Sequence, residues 1–251
     1  MWKIFDKNGV FVAHPDFADA NLFASKLAAH GFGWCAIYAM EGTQEQNASW
    51  LAGHDWFSAL RANGVRPGIW GFLEEDPVGE AQLADALISK YDGPAHDVFF
   101  IADAEASYKA DTGGDRTRSG KFVNEFRRLR PTRVAALSSY GAAVWDNLLG
   151  SVFDYGPWQN NLFDFMPQAY FNETGEYEPG HCVQQALANG WRAVDIHPTV
   201  SSYDGALGRI NGDQYSYILR TLNARYMTTG FSVFNAENMT DADFDAYSRL
   251  A

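Results

Sequence analysis

The sequence predicts an α/β protein built as a single (β/α)8 barrel, and three observations support this prediction. Short apolar runs of strand length alternate with helix-like segments along the whole chain. Eight such pairs fit into 251 residues, which is about the size of one barrel of this kind. The composition shows neither a linker nor a spare segment, so residues 1–251 are expected to form one domain.

Each predicted strand is a short run rich in β-branched and aromatic residues, and most are bounded by Gly, Pro, Asn or Asp. Pro67 is tolerated because it lies at the beginning of its strand, where a missing donor does little harm. The predicted strands, in chain order, are Val10–His14, Trp34–Met40, Arg66–Phe72, Val98–Asp103, Arg133–Ser138, Asp164–Tyr170, Arg192–Ile196 and Gly230–Phe234.

The segments between these strands carry helix signals, such as a capping residue at the start and Gly or Asn at the end. The first segment also repeats its apolar residues at helical spacing between Phe17 and Ala28. The predicted helices are Pro15–His30, Ser49–Asn63, Val78–Tyr91, a segment ending near Arg130, Gly141–Leu149, a segment ending at Asn189, Gly212–Met227 and a last one capped by Thr240.

The formal net charge of −12 limits the kinds of partner that this chain can bind. It repels phosphate backbones and anionic lipids, so we expect neither nucleic acid nor a membrane surface as a partner. Positive charge gathers at Arg127, Arg128, Arg130 and Arg133. We interpret this cluster as the solvated end of a helix, where cations complement the helix dipole.

Cysteine usage and the first residues bear on the compartment. Cys35 and Cys182 are far apart and form no CxxC motif, so a disulfide framework is not indicated. Cys35 lies inside an apolar strand-like run, and we expect it to be a buried free thiol. The first residues lack the apolar core of a signal peptide, and no apolar run reaches the ~20 residues of a membrane span. We therefore expect synthesis in the cytoplasm, with release by lysis or assembly into a virion if the protein acts outside the cell.

The strongest functional signal is a pair of carboxylates, Asp103 and Glu105, directly after the apolar run 98–102. Side chains two residues apart on a strand point the same way. A buried parallel strand should be apolar almost throughout, so acids at its C-terminal end indicate catalysis rather than packing. The structural alternative is an acidic loop that caps the next helix or pairs with Lys109 or Arg116.

Active sites of such barrels lie at the C-terminal ends of the strands, where this chain places many polar and aromatic residues. Glycosidic bond cleavage needs one carboxyl that protonates the leaving oxygen and a second that assists at the sugar carbon. We predict Glu105 and Asp103 as the catalytic pair, and their spacing leaves open retention or inversion. The residues predicted to bind substrate are Glu41, Tyr170, Gln168, Trp70, Asp16, His14 and Glu237.

A metal-dependent hydrolase is an alternative, because His14 and His197 each close a predicted strand and Asp16 and Asp103 are acidic. However, the first strand lacks histidines at i and i+2, and HExxH is absent from the sequence. The stretch 138–141 is not the GxSxG elbow of serine hydrolases. We therefore expect no metal and no cofactor.

The strand-end motifs resemble family-25 glycoside hydrolases, the lysozymes that cut between N-acetylmuramic acid and N-acetylglucosamine. The stretch 37–43 is similar to the Glu-Gly-Thr signature of their second strand, and 67–72 looks like their third strand. Asp103-Ala104-Glu105 looks like their fourth-strand Asp-x-Glu, whose Glu is the general acid. The chain departs from the family at 12–16, where an Asp-x-Ser is expected, and around 231–237, where a further Asp is expected.

The same Asp-x-Glu, followed by Met166–Tyr170, is also similar to family-18 chitinases, although Ile101 replaces an upstream Asp of their motif. In that family the acetamide of the glycan acts as an internal nucleophile, assisted by Asp and Tyr. Both resemblances imply a hydrolase of N-acetylated glycans, with bacterial peptidoglycan as the expected substrate. Lysozyme-like barrels of this kind resemble endolysins and tail proteins of bacteriophages. The alternative is a non-catalytic, glycan-binding or structural barrel that assembles with other tail proteins.

Overall fold

The computed structural model describes residues 4–53, 55–110, 113–141, 153–174 and 178–250. Its eight parallel strands form a closed ring, which confirms the predicted (β/α)8 barrel. The ring closes because β1 pairs with both β2 and β9, while β3 is a short antiparallel addition to β2. The strands are β1 (Gly9–Val12), β2 (Trp34–Glu41), β3 (Gln44–Glu45), β4 (Arg66–Leu73), β5 (Phe99–Ala104), β6 (Ala135–Tyr140), β7 (Asp164–Gln168), β8 (Thr199–Ser201) and β9 (Ser232–Phe234).

Helices follow the strands and cover the outside of the ring. The predicted helix Gly141–Leu149 lies outside the described residues, except for its first residue. In the described part of the chain the helices are α1 (Ala20–Ala29), α2 (Ala48–Gly53), α3 (Trp56–Ala62), α4 (Pro77–Tyr91), α5 (Arg118–Leu129), α6 (Gly156–Asn160), α7 (Phe171–Thr174), α8 (Pro179–Ala188), α9 (Gly212–Tyr226) and α10 (Asp241–Ser248).

The predicted bounds of two helices are wrong, because aspartate side chains start new helices inside them. The first helix does not begin at Pro15, because Asp19 accepts the backbone N–H of Leu22 and starts α1 there, whereas Pro15–Phe17 is a separate 3-10 turn. The predicted helix Ser49–Asn63 is two helices, α2 and α3, since the side chain of Asp55 caps the second. A polar cap inside a helical pattern therefore restarts the helix.

The predicted seventh strand, Arg192–Ile196, is wrong. Ala193–Asp195 is a 3-10 turn, because the Asp195 carboxylate folds back onto the guanidinium of Arg192 at 2.9 Å. The strand at this place in the ring is β8, which begins after Pro198. His197 therefore precedes its strand instead of closing it, and it lies at the N-terminal end of the barrel.

The core has two layers that follow the alternation of each strand. On β5, Phe99 and Ile101 belong to the cluster inside the barrel, whereas Phe100 and Ala102 belong to the layer between strands and helices. Inside the barrel Phe5 packs edge-on against Trp34 and Phe99, with ring centroids 5.5 and 5.2 Å apart. The residues at 103 and 105 continue the inward-facing set toward the C-terminal mouth.

The arginine cluster at the end of α5 is only partly as predicted. Arg127 does complement the helix end, because it donates to the carbonyl oxygens of Arg130 and Arg133. However, Arg127 is mostly buried, and the side chain of Arg133 is 10% exposed and pairs with Asp92. The interpretation of these two residues as solvated is wrong, because neighbouring loops cover them.

Two further predictions concern the cysteines and the membrane. Cys35 is a buried free thiol, as expected, and Cys182 is a buried free thiol as well. Within the described ranges, no helix combines the length and apolar character needed to cross a bilayer.

Candidate active site

The C-terminal ends of three neighbouring strands bring a polar cluster together. Asp103 is next to Ser138 in the β5–β6 register, and Tyr140 is next to Gln168 in the β6–β7 register. Glu105 follows β5 by one residue and faces the same way as Asp103. Residues that are far apart in the sequence therefore meet at one mouth of the barrel, as predicted for Asp103, Glu105 and Gln168.

Gln168 connects the two carboxylates through a single amide nitrogen. Its Nε2 atom lies 2.8 Å from Oδ1 of Asp103 and 2.9 Å from Oε1 of Glu105. The hydroxyl of Ser138 lies 3.2 Å from the same nitrogen. An amide nitrogen carries two hydrogens, so it can donate to both carboxylates at once and hold them in one geometry.

Burial raises the pKa of both carboxyl groups, and charge repulsion adds to the shift of Asp103. Burial raises the pKa of Asp103 well above its ordinary value, the charge of Glu105 raises it further, and hydrogen bonds from Ser138 and Gln168 oppose the shift. Burial likewise raises the pKa of Glu105, against hydrogen bonds with Gln168 and Tyr140. The pair therefore keeps a proton at a higher pH than isolated carboxyl groups do, as a general acid requires.

Aromatic rings line the wall of this mouth. Tyr38 stacks on Trp70 with ring centroids 4.3 Å apart, and Phe234 lies 5.9 Å from Trp70. The arc continues through Tyr170, 5.8 Å from Phe234, to Tyr203, 6.1 Å from Tyr170. Such a wall offers flat apolar faces beside the carboxylates, which suits the ring of a sugar.

Of the predicted binding residues, Tyr170 lies next to the acids and Trp70 lies underneath the wall. The charges of Asp103 and Glu105 add to burial in raising the pKa of Tyr170. Trp70 is only 6% exposed, and its indole N–H donates to the carbonyl of Val12 at 3.1 Å. Tyr38 therefore presents the ring surface that the sequence assigned to Trp70.

Glu41 lies at the exposed rim of the same mouth. Its carboxylate forms a hydrogen bond with the hydroxyl of Tyr38. Burial raises the pKa of Tyr38 most, and the charges of Glu41, Asp103 and Glu74 raise it further. The predicted binding residue Glu41 is thus hydrogen-bonded to Tyr38, and the charge of Asp103 also acts on the hydroxyl of Tyr38.

Glu237 holds the loop after β1. Its Oε1 atom accepts the backbone N–H groups of Ala13 and His14, and burial raises its pKa. Its charge also contributes to the raised pKa of Cys35, whose thiol lies in the outer layer of the core. His14 and Asp16 are exposed on the loop that Glu237 holds.

The alternative metal site needed His14 and His197 side by side, and the structure separates them. His14 follows β1 at the C-terminal mouth, whereas His197 is fully buried at the other end, 5.9 Å from the ring of Phe5. That alternative is wrong, because the strand predicted before His197 lies after it.

Sequence reasoning missed three aromatic residues of the wall. Tyr38 shares a face with Trp34 through the period of two along β2, so the alternation pattern carried its signal. Tyr203 follows β8 by two residues and was hidden by the misplaced seventh strand. Phe234 was identified only as the end of a strand.

No family model matches this sequence, and no curated protein matches it significantly. Among solved structures, the chain is similar to the chitinase-like agglutinin RobpsCRA from Robinia pseudoacacia, with 10% identity, a TM-score of 0.70 and coverage of 97% of this chain and 99% of that one. It is similar to a chitinase from Chromobacterium violaceum, with 13% identity, a TM-score of 0.69 and coverage of 96% and 98%. It is also similar to the spore cortex-lytic enzyme SleL of Bacillus cereus, with 9% identity, a TM-score of 0.70 and coverage of 96% and 74%.

These similarities extend over nearly the whole chain and establish the barrel fold. At such low identity they carry no activity over to this protein. Two further neighbours are glycoside hydrolases by name, one of them of family 39, and these names do not point to the family-25 lysozymes. The resemblance to family 25 therefore stays a prediction.

Proposed function

We propose that this protein hydrolyses glycosidic bonds of an N-acetylated glycan at the C-terminal mouth of its barrel. The observation that carries the proposal is the carboxylate pair, Asp103 and Glu105, joined by one amide donor of Gln168. The pair combines raised pKa values with an aromatic wall. An acid that keeps its proton and a second carboxyl group beside it are the two groups that glycoside hydrolysis requires.

The spacing of the pair favours retention of configuration at the sugar carbon. The two oxygens bound by Gln168 lie no farther apart than the sum of its distances of 2.8 and 2.9 Å. That upper limit is below the ~6.5 Å at which inverting enzymes begin to place their carboxyl groups. This short spacing does not match the separation that inverting enzymes use to place an attacking water, so we propose that the substrate itself supplies the first nucleophile.

We assign proton donation to Glu105 and assistance to Asp103. In this scheme Glu105 gives its proton to the glycosidic oxygen, and the acetamide oxygen of the substrate bonds to the sugar carbon as the leaving group departs. We assign the orientation of that acetamide to Asp103 and to Tyr170, whose pKa is raised by burial and further by the charge of Asp103. Water then opens the cyclic intermediate and returns the proton to Glu105, so the enzyme is regenerated.

Peptidoglycan is the substrate we propose first, and chitin the second. Similar barrels carry the names of chitinases and of a spore cortex-lytic enzyme, which supports a glycan with acetamide groups. A role in a bacteriophage tail or in lysis remains a proposal from the resemblance alone. It is tested by searching purified phage particles for this chain.

The experiment compares the parent protein with Glu105→Gln on peptidoglycan and on chitin oligomers. Loss of the general acid should lower the release of reducing ends by about 10²–10⁴-fold. Glu75→Gln is the matched control, because Glu75 is exposed after β4 at the same end of the barrel. Proton NMR of the first product should show the anomer of the substrate, since retention is expected.

A parent protein that releases no reducing ends from either glycan would contradict hydrolysis and favour the second candidate. That candidate is a glycan-binding barrel without catalysis, and the similarity to a chitinase-like agglutinin supports it. It predicts that parent and Glu105→Gln proteins bind the glycans equally well. An inverted product anomer would contradict the acetamide mechanism.

A further inference from the structure

A cavity of about 720 Å³ lies at the N-terminal end of the barrel, opposite the acidic pair. It is lined by the starts of β4, β6 and β7 and by the C-terminal ends of α5, α6 and α8 with the segments after them. This volume is typical of small-molecule sites, which occupy ~300–1,000 Å³. The proposed catalytic residues lie at the other mouth, so glycan hydrolysis does not account for this cavity.

The lining of this cavity is positive, although the chain as a whole carries a net charge of −12. Guanidinium groups outnumber carboxylates along it two to one. The charged residues of the lining are Arg66, Arg127, Arg133, Arg192, Asp164 and Asp195.

Two of these arginines are already neutralised by direct ion pairs. Arg133 lies 2.8 Å from the carboxylate of Asp92, and Arg192 pairs with Asp195. These two guanidinium groups therefore stabilise the loops around the cavity and contribute little net charge to it.

Arg66 and Arg127 differ, because their hydrogen bonds within the described residues go to backbone carbonyl groups. Arg127 donates to the carbonyl oxygen of Asn161 at 2.9 Å, and burial lowers its pKa to about 10. Arg66 donates its Nε–H to the backbone oxygen of Asp97 at 2.9 Å. Carbonyl groups satisfy these donors but carry no full charge. The carboxylates of Asp97 and Asp92 already act on the charge of Arg66, so Arg127 is the cation that most favours an added anion.

Much of the remaining wall is apolar, and Thr132, Gln159 and Asn161 are its uncharged polar members. Phe163 lies under the guanidinium of Arg127, with 4.4 Å between the ring centroid and Cζ. Trp191 stacks on Phe165 in the outer layer of the core, and Val134 and Ile4 extend the apolar surface of the cavity. At the rim Leu162 is 79% exposed and has a φ of +58°, a conformation that leucine rarely adopts. An exposed leucine held in this conformation beside a cavity is available to cover a ligand.

We propose that this cavity binds an amphipathic anion, meaning a carboxylate attached to an apolar body. The carboxylate would contact the guanidinium groups of Arg66 and Arg127, and the apolar body would lie along Val134 and Leu162. A cation would be repelled by the same two arginines. A neutral apolar molecule would bury the arginines without replacing their water.

The test uses three probes that share one apolar body and differ in charge: 4-phenylbutyrate, 4-phenylbutyramide and 4-phenylbutylamine. Each is titrated into the full chain by isothermal calorimetry. We expect 4-phenylbutyrate to bind about tenfold more tightly than the amide, because charge-assisted hydrogen bonds are the stronger ones. The amine should bind more weakly still.

Two variants locate the binding. Arg66→Gln removes one cation, and Leu162→Asp places a negative charge at the rim of the cavity. Each variant should weaken the binding of 4-phenylbutyrate about fivefold or more. Arg225→Gln is the control, since Arg225 is exposed on α9 and does not line the cavity. Thermal melts establish that each variant folds.

Absence of 4-phenylbutyrate binding, equal binding of the carboxylate and the amide, or binding unchanged by both variants would overturn the proposal. Glu105→Gln should leave this binding unchanged, so failure here and failure of glycan hydrolysis are separate results.

Discussion

The two ends of the barrel treat buried carboxylates in opposite ways. At the C-terminal mouth, burial raises the pKa of Asp103 and of Glu105, and the donors around them are an amide and hydroxyl groups. At the N-terminal end, burial also acts on Asp92 and Asp97. There, backbone N–H groups and nearby arginines outweigh burial, and the pKa values of both aspartates lie below the ordinary range.

This difference separates residues arranged for chemistry from residues arranged for stability. A carboxyl group with a raised pKa in the folded state stabilises the fold below its unfolded pKa, and this contribution is lost as the pH rises through the folded value. A carboxyl group with a lowered pKa does the reverse, because its contribution is present above the unfolded pKa and is lost as the pH falls. Asp103 thus weakens the fold at neutral pH where Asp92 strengthens it.

The largest expected effect is a loss of activity when Gln168, the hydrogen-bond donor that Asp103 and Glu105 share, is replaced. Gln168→Met removes hydrogen bonds that lower the pKa of both Asp103 and Glu105, so both values should rise further. Less Asp103 is then ionised at neutral pH. We expect about 10–100-fold lower hydrolysis and an acid limb of the pH–rate profile shifted to higher pH.

Gln184→Met is the matched control for this variant, because Gln184 is exposed on α8 and donates to the hydroxyl of Tyr226. A Gln168→Met protein with a reduced rate but an unshifted pH profile would show that Gln168 only packs the site.

The next effect is on stability and compares one aspartate from each end. Asp92→Asn removes the charge that pairs with Arg133 at 2.8 Å and should lower the free energy of unfolding by about 2 kcal/mol at pH 7. Asp103→Asn removes a repelled, buried charge and should raise that free energy by about 1 kcal/mol. Urea unfolding measures both.

The pH dependence of these two variants sharpens the comparison. At about pH 4, near the unfolded pKa of an aspartate, most of the Asp103→Asn gain should disappear and most of the Asp92→Asn loss should remain. Asp213→Asn is the control, since its side chain is 70% exposed and should change stability by less than about 0.5 kcal/mol. Changes of the same sign at positions 92 and 103 would remove the distinction between the two ends.

The smallest effect concerns the rim of the cavity at the N-terminal end, which we call the basic cavity. Leu162 has a φ of +58°, which glycine adopts without strain, and its side chain is 79% exposed. Leu162→Gly should therefore raise the free energy of unfolding by about 0.5–1 kcal/mol, although a more flexible unfolded chain offsets part of it. A thermal melt that shows a loss instead would mean that Leu162 packs on the fold.

Much of the fold could be predicted from the sequence because most strands are continuous apolar runs between Gly, Pro and Asp signals. β8 is different, since it is three residues long and two of them are polar. The neighbouring Val194 and Ile196 gave a stronger apolar signal, but the contact between Arg192 and Asp195 makes a turn there. Side-chain pairing of this kind overrides the local pattern, and the sequence alone does not show it.

The site was predictable where a residue lies at a strand end, as for Asp103, Glu105 and Gln168. It was not predictable where a loop decides the outcome. Glu237 was predicted to bind substrate from its place after β9, yet the contacts described for its carboxylate are with the loop after β1. The basic cavity was equally hidden, because arginines at a helix end look the same in a sequence whether loops bury them or water surrounds them.

The ring of Phe5 blocks the axis of the barrel between its two ends. With Trp34 and Phe99 packed against it at centroid distances of 5.5 and 5.2 Å, the interior is filled by side chains. Along this axis the three rings separate the carboxylate pair from the cavity at the N-terminal end. β7 reaches both ends, since Asp164 at its start lines the cavity and Gln168 at its end binds the carboxylate pair, so a small shift of this one strand would change both sites.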